Sequence, residues 1–267
     1  MIYRLDNFVE DKINPSTGCE YDSSWQVLML TESDQYKMLV GSKNGGPYSI
    51  KLSRVQCKEW MLRAGDFIDF AKANGKNAVV VMPETDYLTM QSVYAGHAFQ
   101  ENSLRWYEPS VLIHSTGMEN WISIQKDGML KSWNRLHTEG KISEEAPIGS
   151  KLGDPVDFRN YIMFGSGVPG EIVVQSKQKG KIVMDADAEY LTGARLYFDA
   201  EKMARDGLLI RDGCHIKVKD ILPLKPYLLW AATWDQVGLE SQTSTPRIFS
   251  EKADRMFQVC RHKETGL

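Results

Sequence analysis

PSVLIHSTGMENWISIQKDGMLKSWNR, residues 109–135, is the stretch that decides our interpretation of the fold. Its apolar run Val111–Ile113 predicts a short strand that ends at His114. The small polar residues 115–117 predict a turn, and the apolar spacing after them predicts a helix that stops at Gly128. A strand end that carries a histidine and two hydroxyls presents backbone donors and acceptors that no partner strand has used, which favours a ligand-binding edge. The structural alternative for His114 is a core-edge histidine bonded to a backbone carbonyl.

Length and composition limit the classes of protein that this chain can represent. Its 267 residues correspond to one or two domains, and 42% hydrophobic residues with 10% aromatic ones suffice for a packed core. A net charge of −3 argues against a broad basic surface for nucleic acid, although it leaves room for a small basic cleft. We expect a cytoplasmic protein, because no long apolar run or signal peptide is present.

The four cysteines are scattered and lack the spacing of metal ligands. We therefore expect reduced, mostly structural thiols, no structural metal and no membrane partner.

Periodicity along the chain predicts an N-terminal region over 1–108, a second domain over 109–235, and a C-terminal tail or helix over 236–267. In the first region, short strands over 1–52 suggest an antiparallel hairpin platform, with residues 25–30 and 36–40 as its strands. Helical spacing follows over 53–75, where Gly65 permits either two helices or one kinked helix.

In the second half, the polar segment 135–157 predicts a surface loop long enough to be a lid or an insertion. Several short strands follow, including 161–164, 181–184 and 196–198, with few helices between them. This pattern is typical of an α+β domain with a mostly antiparallel core. One further helix is predicted around Phe249–Cys260.

Residues 92–229 resemble the RNA 2′-phosphotransferase family, which has the ADP-ribosyltransferase fold. The resemblance rests on the following positions, in order: Gly96-His97, Leu112–Thr116, Trp121, Ile124, Gly128-Met129, Arg135, Phe198–Gly207, Arg211–Gly213, Pro223 and Pro226–Leu228. It implies a split antiparallel sheet, preceded here by a smaller N-terminal α/β region. Two family arginines are missing: Ser92 stands where one is expected, and no Leu-Arg-His string occurs in the N-terminal third.

The resemblance implies that NAD is the substrate from which ADP-ribose is transferred. In the family's terms, His114 would bond the adenosine-side ribose, and Ser115 and Thr116 would line the pyrophosphate side. Gly117 and Trp121 are further candidates for NAD binding. Tyr161 or Phe164 would stack on nicotinamide, since aromatic faces suit a flat, partly cationic ring. The alternative for Tyr161 is ordinary packing within a strand.

Acceptor binding and activation would fall to charged side chains. Four candidates could face the acceptor: His97, Arg135, Arg159 and Arg211. Their alternative is a solvated surface. Glu171 and Glu189 are both candidates for the carboxylate that activates the acceptor, and spacing does not decide between them. With His114 and Tyr161, Glu171 and Arg211 complete the predicted catalytic set.

Three hypotheses follow. In the first, the chain transfers ADP-ribose from NAD to RNA, DNA or a nucleotide and releases nicotinamide; a protein acceptor is the weaker form of this hypothesis. In the second, it is a true 2′-phosphotransferase whose missing cations come from Arg63, Arg105 or lysines. In the third, it is a silent module that binds NAD or a phosphorylated end.

Overall fold

The computed structural model describes residues 1–6, 13–14, 17–22, 24–42, 47–99 and 102–265. Within them the chain forms fifteen strands and seven α-helices, so the α+β composition expected from the sequence is confirmed. The strands are β1 (Ile2–Leu5), β2 (Trp25–Thr31), β3 (Met38–Gly41), β4 (Tyr48–Ser53), β5 (Asn77–Val81), β6 (Val111–Thr116), β7 (Met129–Lys131), β8 (Tyr161–Phe164), β9 (Tyr190–Leu191), β10 (Ala194–Asp199), β11 (Ile210–Arg211), β12 (Ile216–Lys219), β13 (Ile221–Pro223), β14 (Leu228–Ala232) and β15 (Thr243–Ser244). The α-helices are α1 (Trp60–Ala73), α2 (Glu84–Gly96), α3 (Met118–Asp127), α4 (Trp133–Thr138), α5 (Pro169–Gln178), α6 (Ala200–Arg205) and α7 (Pro246–Thr265).

The chain divides into two compact units, each built from three segments. The first unit comprises Met1–Glu101, Gly149–Phe158 and Ile210–Ile216, and the second comprises Asn102–Ile148, Arg159–Leu209 and Lys217–Leu267. This division differs from the predicted one in three respects. Residues 102–108 belong to the second unit, two short segments of the predicted domain over 109–235 belong to the first unit, and the predicted C-terminal tail belongs to the second unit.

The first unit is organised around a five-stranded sheet in the order β1-β5-β2-β4-β3. The β1–β5, β5–β2 and β2–β4 pairs are parallel, and only the pairing of β3 with β4 within this sheet is antiparallel. The predicted antiparallel hairpin of β2 and β3 is therefore wrong. Residues 25–28 of β2 are buried on both faces, a pattern typical of a central parallel strand, whereas a hairpin at a surface alternates.

One uninterrupted helix, α1, covers the sheet. The sequence had predicted either two helices or one kinked helix in this region. Its Gly65 allows close contact with Tyr94 on α2: a Cβ on Gly65 would lie 2.1 Å from the Tyr94 ring. The Tyr94 hydroxyl donates a hydrogen bond to Asp66 at 3.0 Å. Gly65 thus serves helix packing rather than breaking the helix.

The second unit has an antiparallel sheet in the order β14-β10-β6. Strands β8 and β12 are neighbours in a different small sheet, and β13–β7 and β15–β9 form two-stranded antiparallel ribbons. The specific ADP-ribosyltransferase arrangement that the resemblance implies remains a prediction.

Helix α7 belongs to the core of the second unit. Phe249, Ala253 and Phe257 are buried, and the Phe257 ring stacks on Tyr197 of β10 with centroids 4.3 Å apart. These contacts confirm the predicted helix and make it a packing element, because its apolar side covers the sheet.

The predicted strand over residues 181–184 is wrong, since the structure shows no strand there. The hydroxyl of Ser176 on α5 accepts a hydrogen bond from the Val183 amide at 3.0 Å and lies 3.2 Å from the Val183 carbonyl oxygen. The backbone polar groups of this segment are satisfied by a side chain, so no partner strand is needed.

Among the described helices, none is long and apolar enough to cross a lipid bilayer.

Candidate active site

His114 lies where the sheet of the second unit splits. Strand β6 pairs with β10 from Val111 to Thr116, and on its other side a bridge joins Ile113 to Gly165, just after β8. Beyond this bridge β6 and β8 belong to different sheets. Beyond the bridge at Ile113, the described residues form no ladder on this second edge of β6, and ligand binding at this edge stays a prediction.

The His114 imidazole bonds to the backbone of β8, because its Nδ1 lies 3.1 Å from the carbonyl oxygen of Met163. A carbonyl only accepts, so Nδ1 carries the proton and Nε2 is presented as an acceptor in the neutral ring. Burial lowers the pKa of His114 below 6.5, against the opposing effect of the Met163 carbonyl. The contact is the one that the structural alternative predicted, yet it leaves Nε2 to act on a ligand.

Ser115 connects β6 to a buried carboxylate on α5. Its hydroxyl donates to Glu171 Oε1 at 2.5 Å, and the hydroxyl of Tyr190 donates to Oε2 at 2.7 Å. Arg195 Nη1 lies 3.5 Å from Oε1, close enough for an ion pair but too poorly directed for a hydrogen bond. Both charged side chains are completely buried, so the residue after His114 is held by a network inside the protein.

Arg195 is also held from the opposite side by α7. Its Nε and Nη2 atoms donate to the two carboxylate oxygens of Asp254 at 2.9 and 3.1 Å, and the Tyr197 hydroxyl donates to Asp254 at 2.7 Å. A forked guanidinium suits such a bidentate contact. This ion pair connects α7 to the central strand of the sheet.

The network bears directly on the predicted acceptor-activating carboxylate. Glu171 is 0% exposed, and burial raises its pKa above the ordinary value although Ser115, Tyr190 and Arg195 oppose this shift. A carboxylate with both oxygens engaged inside the protein does not meet an acceptor, so Glu171 does not fit the predicted role. Glu189, the other candidate, is exposed.

The aromatic residues predicted to contact NAD are part of the core. Tyr161, Phe164 and Trp121 are 8%, 7% and 6% exposed. The buried Lys217 amine lies 4.5 Å from the centroid of the Tyr161 ring, and Phe164 packs edge-on against His114 and Phe198. None of the three offers an open ring face, so their predicted contact with nicotinamide or pyrophosphate is not supported.

Strand β6 continues to Thr116, two residues past the end predicted at His114, so the predicted turn over 115–117 is wrong for Ser115 and Thr116. The chain then enters α3 after Gly117. Thr116 is buried, and Gly117 is the N-terminal cap of the helix, where no side chain accepts from the first-turn amides. Gly128 ends the helix in the left-handed conformation at φ 68°, as the sequence predicted. Gly193 on the adjacent turn approaches so closely that a Cβ there would lie 1.8 Å from the Thr116 carbonyl oxygen.

A second group of side chains gathers at α4, where two of the predicted acceptor-binding arginines lie. Arg159 lies over the Trp133 ring at 5.3 Å, and His137 stacks on the same indole with centroids 4.9 Å apart and planes 17° apart. Arg135 bonds to Glu139 one turn later at 2.9 Å and remains 43% exposed. We call Trp133, His137 and Arg159 the α4 stack.

The other two predicted acceptor-binding residues belong to the first unit. His97 caps the end of α2 with its ring against Phe99 at 4.3 Å, and Arg211 lies on β11. In the same unit Arg63, an alternative cation, is paired with Glu59 one turn earlier at 3.0 Å. Of the predicted residues, His114, Ser115, Arg135 and Arg159 belong to the second unit, whereas His97 and Arg211 belong to the first.

Sequence reasoning missed Arg195, Asp254 and Tyr190, because a buried ion pair between β10 and α7 has no local pattern. It also missed a cluster in the first unit formed by Asp212, Cys214 and His215, although the spacing Asp-x-Cys-His was a usable signal.

Among the described residues, no group of three or more histidines, cysteines or acidic residues could hold a metal ion. No family model, curated protein or solved structure matches this chain.

Proposed function

We propose that this chain is an NAD-dependent transferase that moves ADP-ribose from NAD to a nucleic-acid acceptor and releases nicotinamide. The observation that carries the proposal is the neutral His114 at the split between β6 and β8, with Nδ1 bonded to Met163 and Nε2 available as an acceptor. A ribose hydroxyl donates to such a nitrogen without any change in the protonation of the ring.

The residues after His114 support a site for the pyrophosphate. Gly117 begins a ten-residue helix whose first-turn amides carry no side-chain cap. Uncapped amides at a helix N-terminus favour an anionic ligand through their donors and the helix dipole. Ser115, whose hydroxyl is engaged by Glu171, acts in this proposal by holding the strand end and not by contacting phosphate.

The chemistry makes modest demands on the protein. Cleavage of the bond between nicotinamide and ribose passes through an oxocarbenium-like state, so holding the dinucleotide in a reactive geometry supplies much of the acceleration. His114 and the first turn of α3 would provide that positioning. The exposed Glu189 is the carboxylate that we assign to the acceptor in place of Glu171.

The α4 stack supports a nucleic-acid acceptor. A cation and an aromatic ring held together offer a surface on which a base can stack, and the exposed Arg135 beside them suits a phosphate. Arg159 lies just before β8, the strand whose Met163 carbonyl holds His114.

Nicotinamide release from NAD by the purified chain, with and without bulk RNA or DNA, tests the proposal. Two substitutions separate the roles of His114. His114→Asn retains a donor near Nδ1 for the Met163 carbonyl but removes the Nε2 acceptor, whereas His114→Gln places its amide near the Nε2 position. We expect turnover to fall about 100-fold in His114→Asn and less in His114→Gln.

The possible results are distinct. Turnover stimulated by nucleic acid, with ADP-ribose found on it by mass spectrometry, supports the proposal. Removal of phosphate from 2′-phosphorylated RNA would replace it with the phosphotransferase hypothesis. Saturable NAD binding without turnover would replace it with the silent module, and no binding at all would overturn it.

The acceptor side has its own matched pair of variants. Trp133→Ala removes the indole of the α4 stack, while Trp106→Ala removes an indole of the same unit that is 68% exposed and outside the stack. We expect Trp133→Ala alone to weaken the affinity for single-stranded RNA about 10-fold. Equal effects of both variants would contradict the assignment of the stack.

A further inference from the structure

A cysteine, a histidine and an aspartate meet at the turn between β11 and β12 in the first unit. His215 Nδ1 lies 3.2 Å from both carboxylate oxygens of Asp212, and His215 Nε2 lies 3.6 Å from Cys214 Sγ. The imidazole therefore stands between the carboxylate and the sulfur. This arrangement orients a base toward a thiol, as in enzymes that use an activated cysteine.

The turn is held rigidly, so the arrangement does not depend on a mobile side chain. Asp212 Oδ1 accepts from the Cys214 and His215 amides at 3.1 and 2.7 Å. Gly213, at φ +86°, lies against α1: a Cβ there would be 2.5 Å from the Arg63 carbonyl oxygen. The Arg63 guanidinium donates to the Gly213 carbonyl at 3.4 Å.

The charges around His215 favour its protonated form. Burial alone lowers the pKa of His215, but the negative charges of Cys214 and Asp212 raise it to about 10. Two further groups face the ring. The Tyr48 hydroxyl lies 3.4 Å from Nε2. Asp154 interacts with His215 through charge: burial raises the pKa of Asp154 to about 6, and His215 opposes this shift. An imidazolium beside sulfur stabilises a thiolate.

We propose that Cys214 is a reactive thiol, oriented by His215 and Asp212, that forms mixed disulfides with small disulfide compounds. Its thiolate attacks one sulfur of the disulfide, a new S–S bond forms, and the old bond breaks. The departing thiolate takes up a proton from solvent. Cys214 is oxidised, one half of the small disulfide is reduced, and no other oxidant is needed.

The other cysteines have different surroundings and serve as internal controls. Cys57 is 0% exposed, and burial raises the pKa of its thiol. Cys19 is exposed, and its Sγ lies 3.7 Å from the Thr17 carbonyl oxygen. Cys214 is half-buried and combines partial access with a cationic neighbour.

The test is site-resolved mass spectrometry of the full chain after brief exposure to iodoacetamide or oxidised glutathione between pH 6 and 8.5. At pH 6 we expect Cys214 to react about 10-fold faster than Cys19, despite its lower exposure. His215→Gln should remove this advantage, and Asp212→Asn should reduce it.

The pH profile of the unmodified chain keeps the proposal falsifiable if a variant fails to fold. A thiolate held by His215 gives a Cys214 rate that changes little between pH 6 and 8. An ordinary thiol gains about tenfold per pH unit in that range. A Cys214 rate that follows Cys19, or no glutathione adduct at Cys214, would overturn the proposal.

Discussion

His114 in the second unit and His215 in the first are both half-buried, yet their surroundings drive their charges in opposite directions. His114 bonds to the carbonyl of Met163, a neutral dipole that does not offset the cost of burying a cation, and its pKa is lowered. His215 faces the charged Asp212 and Cys214, and its pKa is raised to about 10. The partner, more than the degree of burial, decides the protonation state.

The difference suits the two proposals. A neutral ring with a defined acceptor nitrogen recognises a hydroxyl, whereas a cationic ring stabilises an anion such as a thiolate. The second unit also buries charge, but places it on Arg195 between Glu171 and Asp254. Three experiments test this comparison.

The largest effect is expected from His215→Gln on the pH dependence of unfolding. Because the folded pKa is about 10 and the ordinary value 6.5, protonated His215 stabilises the fold fully below pH 6.5, and this stability is lost as the pH rises through 10. The contribution is at most about 5 kcal/mol. The difference in unfolding free energy between the native chain and His215→Gln, from urea titrations, should shrink from pH 6 to pH 10.

His137→Gln provides the control, because it makes the same substitution at an exposed position on α4, outside the cluster of Asp212, Cys214 and His215. A constant difference between the native chain and His215→Gln across this range would show that His215 is not held as a cation.

The next effect concerns the buried charge of the second unit. Asp254→Ala leaves the fully buried Arg195 with the 3.5 Å contact to Glu171 as its anionic neighbour and a 3.2 Å hydrogen bond to the Tyr197 hydroxyl, and we expect a loss of about 3 kcal/mol in unfolding free energy. Asp187→Ala removes the same bidentate geometry from Arg247 at a site where both side chains are more than half exposed. Its effect should be much smaller, since solvent screens exposed ion pairs.

Chemical denaturation of both variants gives the two values directly. Similar losses in Asp254→Ala and Asp187→Ala would mean that Arg195 does not depend on α7 for its charge compensation.

The smallest effect is expected at His114. Its lowered pKa means that the ring takes up a proton only below pH 6.5, so the stability that its neutral form contributes is lost as the pH falls through the folded pKa. Protonation also converts Nε2 from acceptor to donor. We therefore expect NAD affinity, measured by calorimetry, to weaken below pH 6.5 in the native chain but to stay level in His114→Gln. An imidazole titration above 6.5, observed by NMR, would contradict the assignment.

Local sequence patterns predicted much of the second unit. The strand before His114, the helix ended by Gly128, the strand over residues 161–164 and the C-terminal helix are all present. Each of these elements depends on features within a few residues of sequence, such as the spacing of apolar residues, a glycine in the left-handed conformation or a polar turn. The strand over 181–184 failed because Ser176 satisfies its backbone from outside the segment.

Local sequence patterns did not reveal which residues contact the predicted site residues. Glu171 was a plausible catalytic carboxylate by composition, but Ser115, Tyr190 and Arg195 engage it inside the protein. In the first unit, the parallel pairing of β2 with β4 replaced the expected hairpin. Contacts between residues tens of positions apart leave no periodic trace, so sequence alone does not reveal them.

The sequence by itself determined the α+β composition, the strand that ends near His114, and the turn that places Asp212, Cys214 and His215 within four positions. Tertiary structure decided which of these groups carries charge. Burial keeps His114 neutral against the opposing effect of Met163, which is far from it in sequence, and Asp254 reaches Arg195 from the last helix. The physical reason is that desolvation and charge pairing depend on what surrounds a group in space, and residue order does not specify those surroundings.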